Sequence, residues 1–411
     1  MKKTLSVVLA LVLSLLLAVP ALAEGKVELT YWSMWNSTEG QAKIIQEAAD
    51  AYEAATGVHI NIEWKGRDVK NLITAALDAG EKVDIYDTDY IQISKSNTNY
   101  VTDLTVLEGF DEYLTHVLPV LVETATSYTD GKLKVMPYQP YTTGVWYDAE
   151  MWAAAGLTND DHPATWEQLL DVCEKIKATG KHPFTLNNVD GPDMMYGYQL
   201  GRYIGQDAVL EMIDTNSWAD VPAALKAAQD MATLYEKGYL SPYAPAQWPE
   251  GENEIGFEES CMILQASWVP NEVAQNTGKE VNWGFFPRPT VEGGVDGPEA
   301  SMVGAQAFGI TEISEHKQEA FDFLKTIVLG EYDLKMAEAT KSIPADTANP
   351  TWPSAVAAAE PYFKLMTKAY EWNVGIGNNA DTQPMILSSL VELFQGKMAP
   401  ETLISTLDAL K

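Results

Sequence analysis

Between Lys26 and Asp87 the apolar period switches from two to 3.6 and back, twice over, and few folds accept that alternation. Val27, Leu29 and Tyr31 alternate, so Lys26 to Trp32 reads as a strand. Thr38 stands three residues before Gln41, the spacing of a capping box. Ile44, Ile45, Ala48, Ala51, Tyr52 and Ala55 follow at helical intervals, and Gly57 supplies a stop. Val58, Ile60, Ile62 and Trp64 alternate again. A second helix is expected near Asp68 to Ala79, with Val69, Leu72, Ile73, Ala76 and Leu77 on one face and Gly80 closing it. "VDIYD", Val83 to Asp87, makes a third strand. Strand, helix, strand, helix, strand is the signature of α/β architecture with a mostly parallel sheet and right-handed crossovers. Such sheets bind ligands outside the carboxyl ends of their strands. "WSMWN" (Trp32 to Asn36) leaves the first strand there and "DTDY" (Asp87 to Tyr90) leaves the third, so tryptophan, amide and carboxylates converge on one edge.

The same grammar continues along the chain. "KLKVMPYQPYTTGVWYD" (Lys132 to Asp148) is extended and broken by Pro137 and Pro140. Thr165 and Gln168 form a second capping box, ahead of a helix through Ile176. "CMILQASW" (Cys261 to Trp268) reads as a buried strand that ends in a tryptophan, and "VNWGFFPRP" (Val281 to Pro289) as extended. Ser314 is expected to cap a helix carrying Phe321, Phe323, Leu324 and Ile327, stopped at Gly330; helices dominate the remainder. At 411 residues and 46% apolar composition, the chain can fill the cores of two lobes.

Residues 1–23 read as a cleaved secretory signal peptide. Lys2 and Lys3 precede an apolar run from Leu5 to Val19, and Ala21-Leu22-Ala23 forms a small-x-small cleavage site. Export is therefore expected, extracellular or periplasmic. No cysteine precedes Cys173, so lipid attachment at the cleavage site is not expected. Cys173 and Cys261 are the only thiols, and their spacing leaves open whether they pair. Without the leader, which holds two lysines and no acids, 25 bases face 58 acids, a balance of −33. That charge argues against nucleic acid or anionic membrane as partners.

Catalytic signatures are missing. HExxH, GxSxG, a P-loop and paired CxxC do not occur. "GIGNNA" (Gly375 to Ala380) lacks the third glycine of a dinucleotide loop. The five histidines lack metal-ligand spacing. Glu258 and Glu259 are adjacent, and adjacent strand residues point to opposite faces, so the doublet cannot flank one glycosidic bond. No catalytic residue, cofactor or metal is expected.

One stretch carries a family likeness. In "GKLKVMPYQPYTTGVWYDAEMWAAAGLTNDDHPATWEQL" (Gly131 to Leu169), Pro137, Tyr147, Gly156-Leu157 and Pro163 to Leu169 fall in a recurring order. "FEESCMILQASW" (Phe257 to Trp268) and "PRPTVEGG" followed by "HKQEAFDFL" continue it. In that order the chain resembles extracellular solute-binding proteins of carbohydrate-uptake ABC transporters, the group that includes maltose-binding protein. Asp148 replaces the usual Asn, and Ser260, Cys261 and Ala266 replace other small residues. The resemblance implies a two-lobe periplasmic-binding-protein-like fold of type II, joined by a hinge of crossing strands. It implies a first lobe over 24–136 and 288–330 and a second over 137–287 and 331–411. It also implies a sugar or oligosaccharide between closing lobes, and permease subunits as membrane partners of a monomer.

A sugar ring offers a C–H face for an aromatic plate and hydroxyls for polar groups, because buried unpaired polar groups are costly. Trp32, Trp35, Asn36 and Glu39 are candidates from the first strand's exit, and Asp87 and Asp89 from the third's. The resemblance adds Tyr138 and Tyr141 by the first crossing and Trp268, which matches the family's stacking tryptophan. Trp372, in an aromatic, glycine-rich loop before the last long helix, completes the set. A polyamine or peptide on the same fold, or a secreted carbohydrate-active enzyme, are the rival expectations.

Overall fold

The structure, a computed structural model, describes residues 26–410. The leader assigned to residues 1–23 lies outside them. The alternating start folds as its periods dictate. β1 (Glu28–Ser33), α1 (Gly40–Thr56), β2 (His59–Trp64), α2 (Val69–Asp78) and β3 (Ile85–Asp89) form a parallel unit with β1 between β2 and β3. β4 (Met136–Asp148) follows, then α3 (Trp166–Lys177), β5 (His182–Thr185), α4 (Gly191–Thr215), α5 (Glu250–Gly256), β6 (Ser260–Ala266), α6 (Val269–Thr277) and β7 (Trp283–Phe286). β8 (Ala300–Ile310), α7 (Lys317–Val328), α8 (Gly330–Thr340), β9 (Lys368–Tyr370), α9 (Gln383–Phe394) and α10 (Pro400–Asp408) complete the elements used below.

The strands lie in the order β2-β1-β3-β8-β4-β6-β5, with β7 on β4 and β9 on β8. β4 and β8 join the two halves. Met136 and Tyr138 of β4 pair with Phe308 and Gln306 of β8, which itself runs antiparallel to β3. Beyond a register shift between Tyr138 and Tyr141, Tyr141 and Thr142 still pair with Gly304 and Val303 of β8, and from Thr143 on β4 pairs with β6 and then also with β7.

Packing ties several segments to one half or the other. Residues 288–300 stay with the second half because the buried Arg202 of α4 donates to the carbonyls of Arg288, Pro289 and Ala300, the last at 2.7 Å. α8 stays with the first half: Met336 and Ala337 are buried, Gly40 of α1 fits against Thr340, and Lys335 pairs with Glu47 at 2.6 Å. Ile343, Trp352, Val356 and Phe363 belong to a cluster that contains β1 to β3 and also Trp146, Ile263, Trp283 and Phe285 of β4, β6 and β7, and Tyr370 belongs to the second cluster.

Caps were legible in part. Thr165 and Gln168 form the expected box on α3. Thr38 and Gln41 do not: α1 begins after Glu39, which makes no cap bond to the helix. Ser314 is engaged with buried Asp84 at 2.6 Å rather than capping α7, and Gly330 opens α8 instead of closing α7. Asp148 accepts from the backbone N–H of Glu150 and Met151, work an Asn oxygen could equally do. Cys173 and Cys261 are both buried and free. Among the described residues, no helix is long and apolar enough to cross a membrane.

Candidate functional site

The exits of β1 and β3 are tied together by one carboxylate. Asp87 accepts the Met34 backbone N–H at 2.8 Å on one oxygen and the Tyr138 hydroxyl on the other. Tyr138 in turn accepts the Trp35 indole N–H at 2.6 Å and stacks on Phe308, with ring centroids 4.2 Å apart. Asp87 and Tyr138 are buried. Burial pushes the Asp87 carboxyl up to about 6, against the lowering effect of its hydrogen bonds from Tyr138 and Met34. Neither residue lines the two cavities described below; they hold Trp35 in place.

Trp32 is buried and roofed by the Lys65 ammonium, 4.2 Å from its ring centroid. Asn36 and Glu39 form an external turn. Asn36 Nδ2 donates to Glu39 at 3.2 Å, and Arg67 pairs with Glu39 at 2.8 Å. Partial burial raises the Glu39 pKa, but Arg67 and the Asn36 N–H outweigh it and hold the carboxyl below its ordinary range. The Arg67 guanidinium lies 4.4 Å from the Trp35 ring centroid. Trp32, Asn36 and Glu39 thus line neither cavity described next.

Where the halves face each other, aromatic rings gather. Trp268 follows β6, and its ring stacks with Trp372 at 5.8 Å and 19°. Tyr141, just past the register shift of β4, meets Trp268 edge-on at 5.4 Å. Two cavities meet at Tyr141. One, of about 380 Å³, runs between Asp89, Lys95 and Tyr128 on one side and Tyr370, Glu371 and Trp372 on the other. The second, of about 140 Å³, is bounded by Trp35, Gln139, Gln306, Trp268 and Asn271. Asp89 accepts the N–H groups of Ile91 and Gln92 on one oxygen and faces the Tyr141 hydroxyl at 3.4 Å with the other. Burial raises its pKa against those bonds.

Of the ten residues singled out from sequence, Trp35, Asp89, Tyr141, Trp268 and Trp372 come together around this space. Lys95, Tyr128, Gln206, Gln306 and Asn378 also line it. No local pattern marks them, since they arrive from separate elements. Among the described residues no group of three His, Cys, Asp or Glu side chains is placed to hold a metal.

The model of the bacterial extracellular solute-binding protein family matches residues 35–328, most of the chain. The chain belongs to that family. It is similar to the lactose-binding protein of Rhizobium radiobacter, 24% identical over 74% of this chain and 71% of that one. It is also similar to the diacetylchitobiose-binding protein DasA of Streptomyces coelicolor, 25% identical over 77% of this chain and 72% of its relative. Among solved structures, a probable secreted solute-binding lipoprotein from Streptomyces coelicolor superposes with a TM-score of 0.76 at 17% identity, covering 93% of this chain and 98% of that one. The two-lobe solute-binding fold is thereby established; the family is one of binding proteins.

Proposed function

We propose that this solute-binding protein is exported, acts as a monomer without catalysing a reaction, and captures a sugar or oligosaccharide for an ABC permease. The carrying observation is the aromatic group of Trp268, Trp372 and Tyr141 at the meeting of two cavities between the halves. Its rings offer faces and edges to the C–H side of a sugar, and Asp89, Glu371, Gln306 and Asn271 surround them with hydroxyl partners. The names of the relatives, lactose-binding and diacetylchitobiose-binding, support the same class. Micromolar affinity requires about 8 kcal/mol net, within reach of a few stacking contacts and charge-assisted hydrogen bonds after closure. β4 and β8 would serve as hinge strands, with 300–310 and 136–148 flexing as the lobes close on the ligand.

A thermal-shift panel of the mature protein tests this. Mono- and oligosaccharides are set against spermidine and short peptides. Ligand at about a hundred times its Kd should add roughly 2.7 kcal/mol of stability. A response to saccharides is expected. A silent saccharide set with a polyamine or peptide response would overturn the substrate class, and release of reducing ends from added glycan would overturn the non-enzymatic reading.

A further inference from the structure

A third tryptophan stands open on the same edge of the second half as Trp268. β5 and β6 run parallel, with Thr185 opposite Ile263, so the segments 186–190 and 267–268 leave that edge side by side. A third segment joins them: Ala246 bridges Asn187 in parallel, and the Asn188 N–H donates to the Ala246 carbonyl at 2.7 Å. Trp248 follows two residues later and is 47% exposed. Neighbouring chains of a sheet lie about 4.8 Å apart, so two spacings put the Trp248 segment about 10 Å from that of Trp268.

One carboxylate sits close to both tryptophans. Glu272 lies one helical turn beyond Trp268, its N–H donating to the Trp268 carbonyl at 3.1 Å. Burial raises the Glu272 pKa, and the nearby Trp248 indole acts against that rise. The exposed Trp248 indole leaves a face free for a ligand to stack on. Acceptors without partners lie beside it. Asp190 binds Gln265 at 2.9 Å through Oδ2, while its Oδ1 is buried and unpaired, as is Oδ1 of Asn188. Buried Glu252 is held by Asn187 at 3.2 Å, and the charges acting on it, Glu272 and Asp190, are both negative. An anionic group would be repelled here. A neutral ring with one apolar face and several O–H donors satisfies both the plate and the acceptors.

We infer that Trp248 is the plate of an outer saccharide subsite, with Asp190 and Asn188 as its hydroxyl acceptors. The ligand is then an oligosaccharide that runs past the Trp268–Trp372 stack, not a single sugar. This rests on the carbohydrate reading above.

The test is calorimetric titration of the mature protein with malto-, chito- and xylo-oligosaccharides of increasing length and with lactose. Wild type should gain about tenfold in affinity between the shortest binding member and one that is two or more units longer. Trp248→Ala should leave the shortest ligand's Kd unchanged and remove that gain, and Trp248→Phe should keep part of it. An exposed side chain makes loss of folding a poor explanation, and an unchanged melting temperature checks this. Equal length dependence in Trp248→Ala and wild type, or no length dependence in wild type, overturns the outer subsite alone. No binding of any saccharide by wild type overturns the carbohydrate reading and the subsite with it.

Discussion

Trp35 and Trp268 each follow the carboxyl end of a strand, yet their surroundings differ. Trp35 is clamped: its N–H goes to Tyr138, Arg67 lies over its ring, and its neighbour Met34 is tied to Asp87. Trp268 is only partly buried and touches other aromatic rings, Tyr141 and Trp372. Trp32 is buried in the core beneath Lys65, with its indole N–H left without a partner. In the first half Trp35 is fixed as a wall; in the second, Trp268 and Trp372 keep open faces while Trp146, Trp152, Trp166, Trp218 and Trp283 are buried. Residue type and strand position are the same; the partners supplied by other elements decide the role.

Substitutions that exchange the two roles test the contrast most severely. Trp268→Ala should abolish detectable saccharide binding by calorimetry, with the melting temperature nearly unchanged. Trp32→Ala should do the reverse, destabilising the fold by about 3–5 kcal/mol in denaturant titration by emptying a packed site. Equal effects of both on affinity and on stability would erase the distinction.

A smaller effect is expected from Tyr138→Phe, which leaves the Trp35 N–H and an Asp87 oxygen without their partner. Loss of about 1–3 kcal/mol of stability should follow, with weaker ligand binding as a secondary result of a mobile Trp35. Tighter binding would show that the clamp opposes the ligand.

The buried carboxylates extend the comparison to pH. Burial raises Asp87 to about 6, and Asp193 and Asp333 to about 7. Each of these folded-state values lies above the unfolded one, so the folded state binds protons first as pH falls. Stability should therefore rise as pH drops from about 8 to about 5, where unfolded carboxylates are still ionised, and thermal melts across that range should show it. Asp87→Asn should flatten the part of the profile near pH 6. A melting temperature that falls steadily from pH 8 to 5 would contradict the burial of these groups.

The smallest effect belongs to the external turn. Glu39→Ala removes a partly exposed pair with Arg67, worth within about 1 kcal/mol once solvent screening is included, and should leave saccharide affinity unaltered. A large loss of affinity would place the turn of Asn36 and Glu39 in the closed site.

Local periodicity determined much of this protein. The change of period between Lys26 and Asp87 specified β1 to β3 and their parallel sense, because alternation and helical spacing are properties of neighbouring residues. The Thr165 box and the strand ending at Trp268 were legible for the same reason. The Thr38 box failed because Glu39 is drawn to Arg67, and the expected cap at Ser314 failed because Asp84 claims its hydroxyl, two partners distant in sequence. Arg202 holding residues 288–300 and α8 settling against α1 are contacts between segments far apart in the chain. Asp87, expected where the third strand leaves, and Tyr138, expected by the first crossing, are joined to each other and to Trp35 only by the assembled fold. The sequence by itself set which residues are aromatic, acidic and at strand exits. Tertiary structure decided which of them are satisfied within the protein and which keep an open face, because burial and hydrogen-bond satisfaction depend on every element that arrives at a point in space.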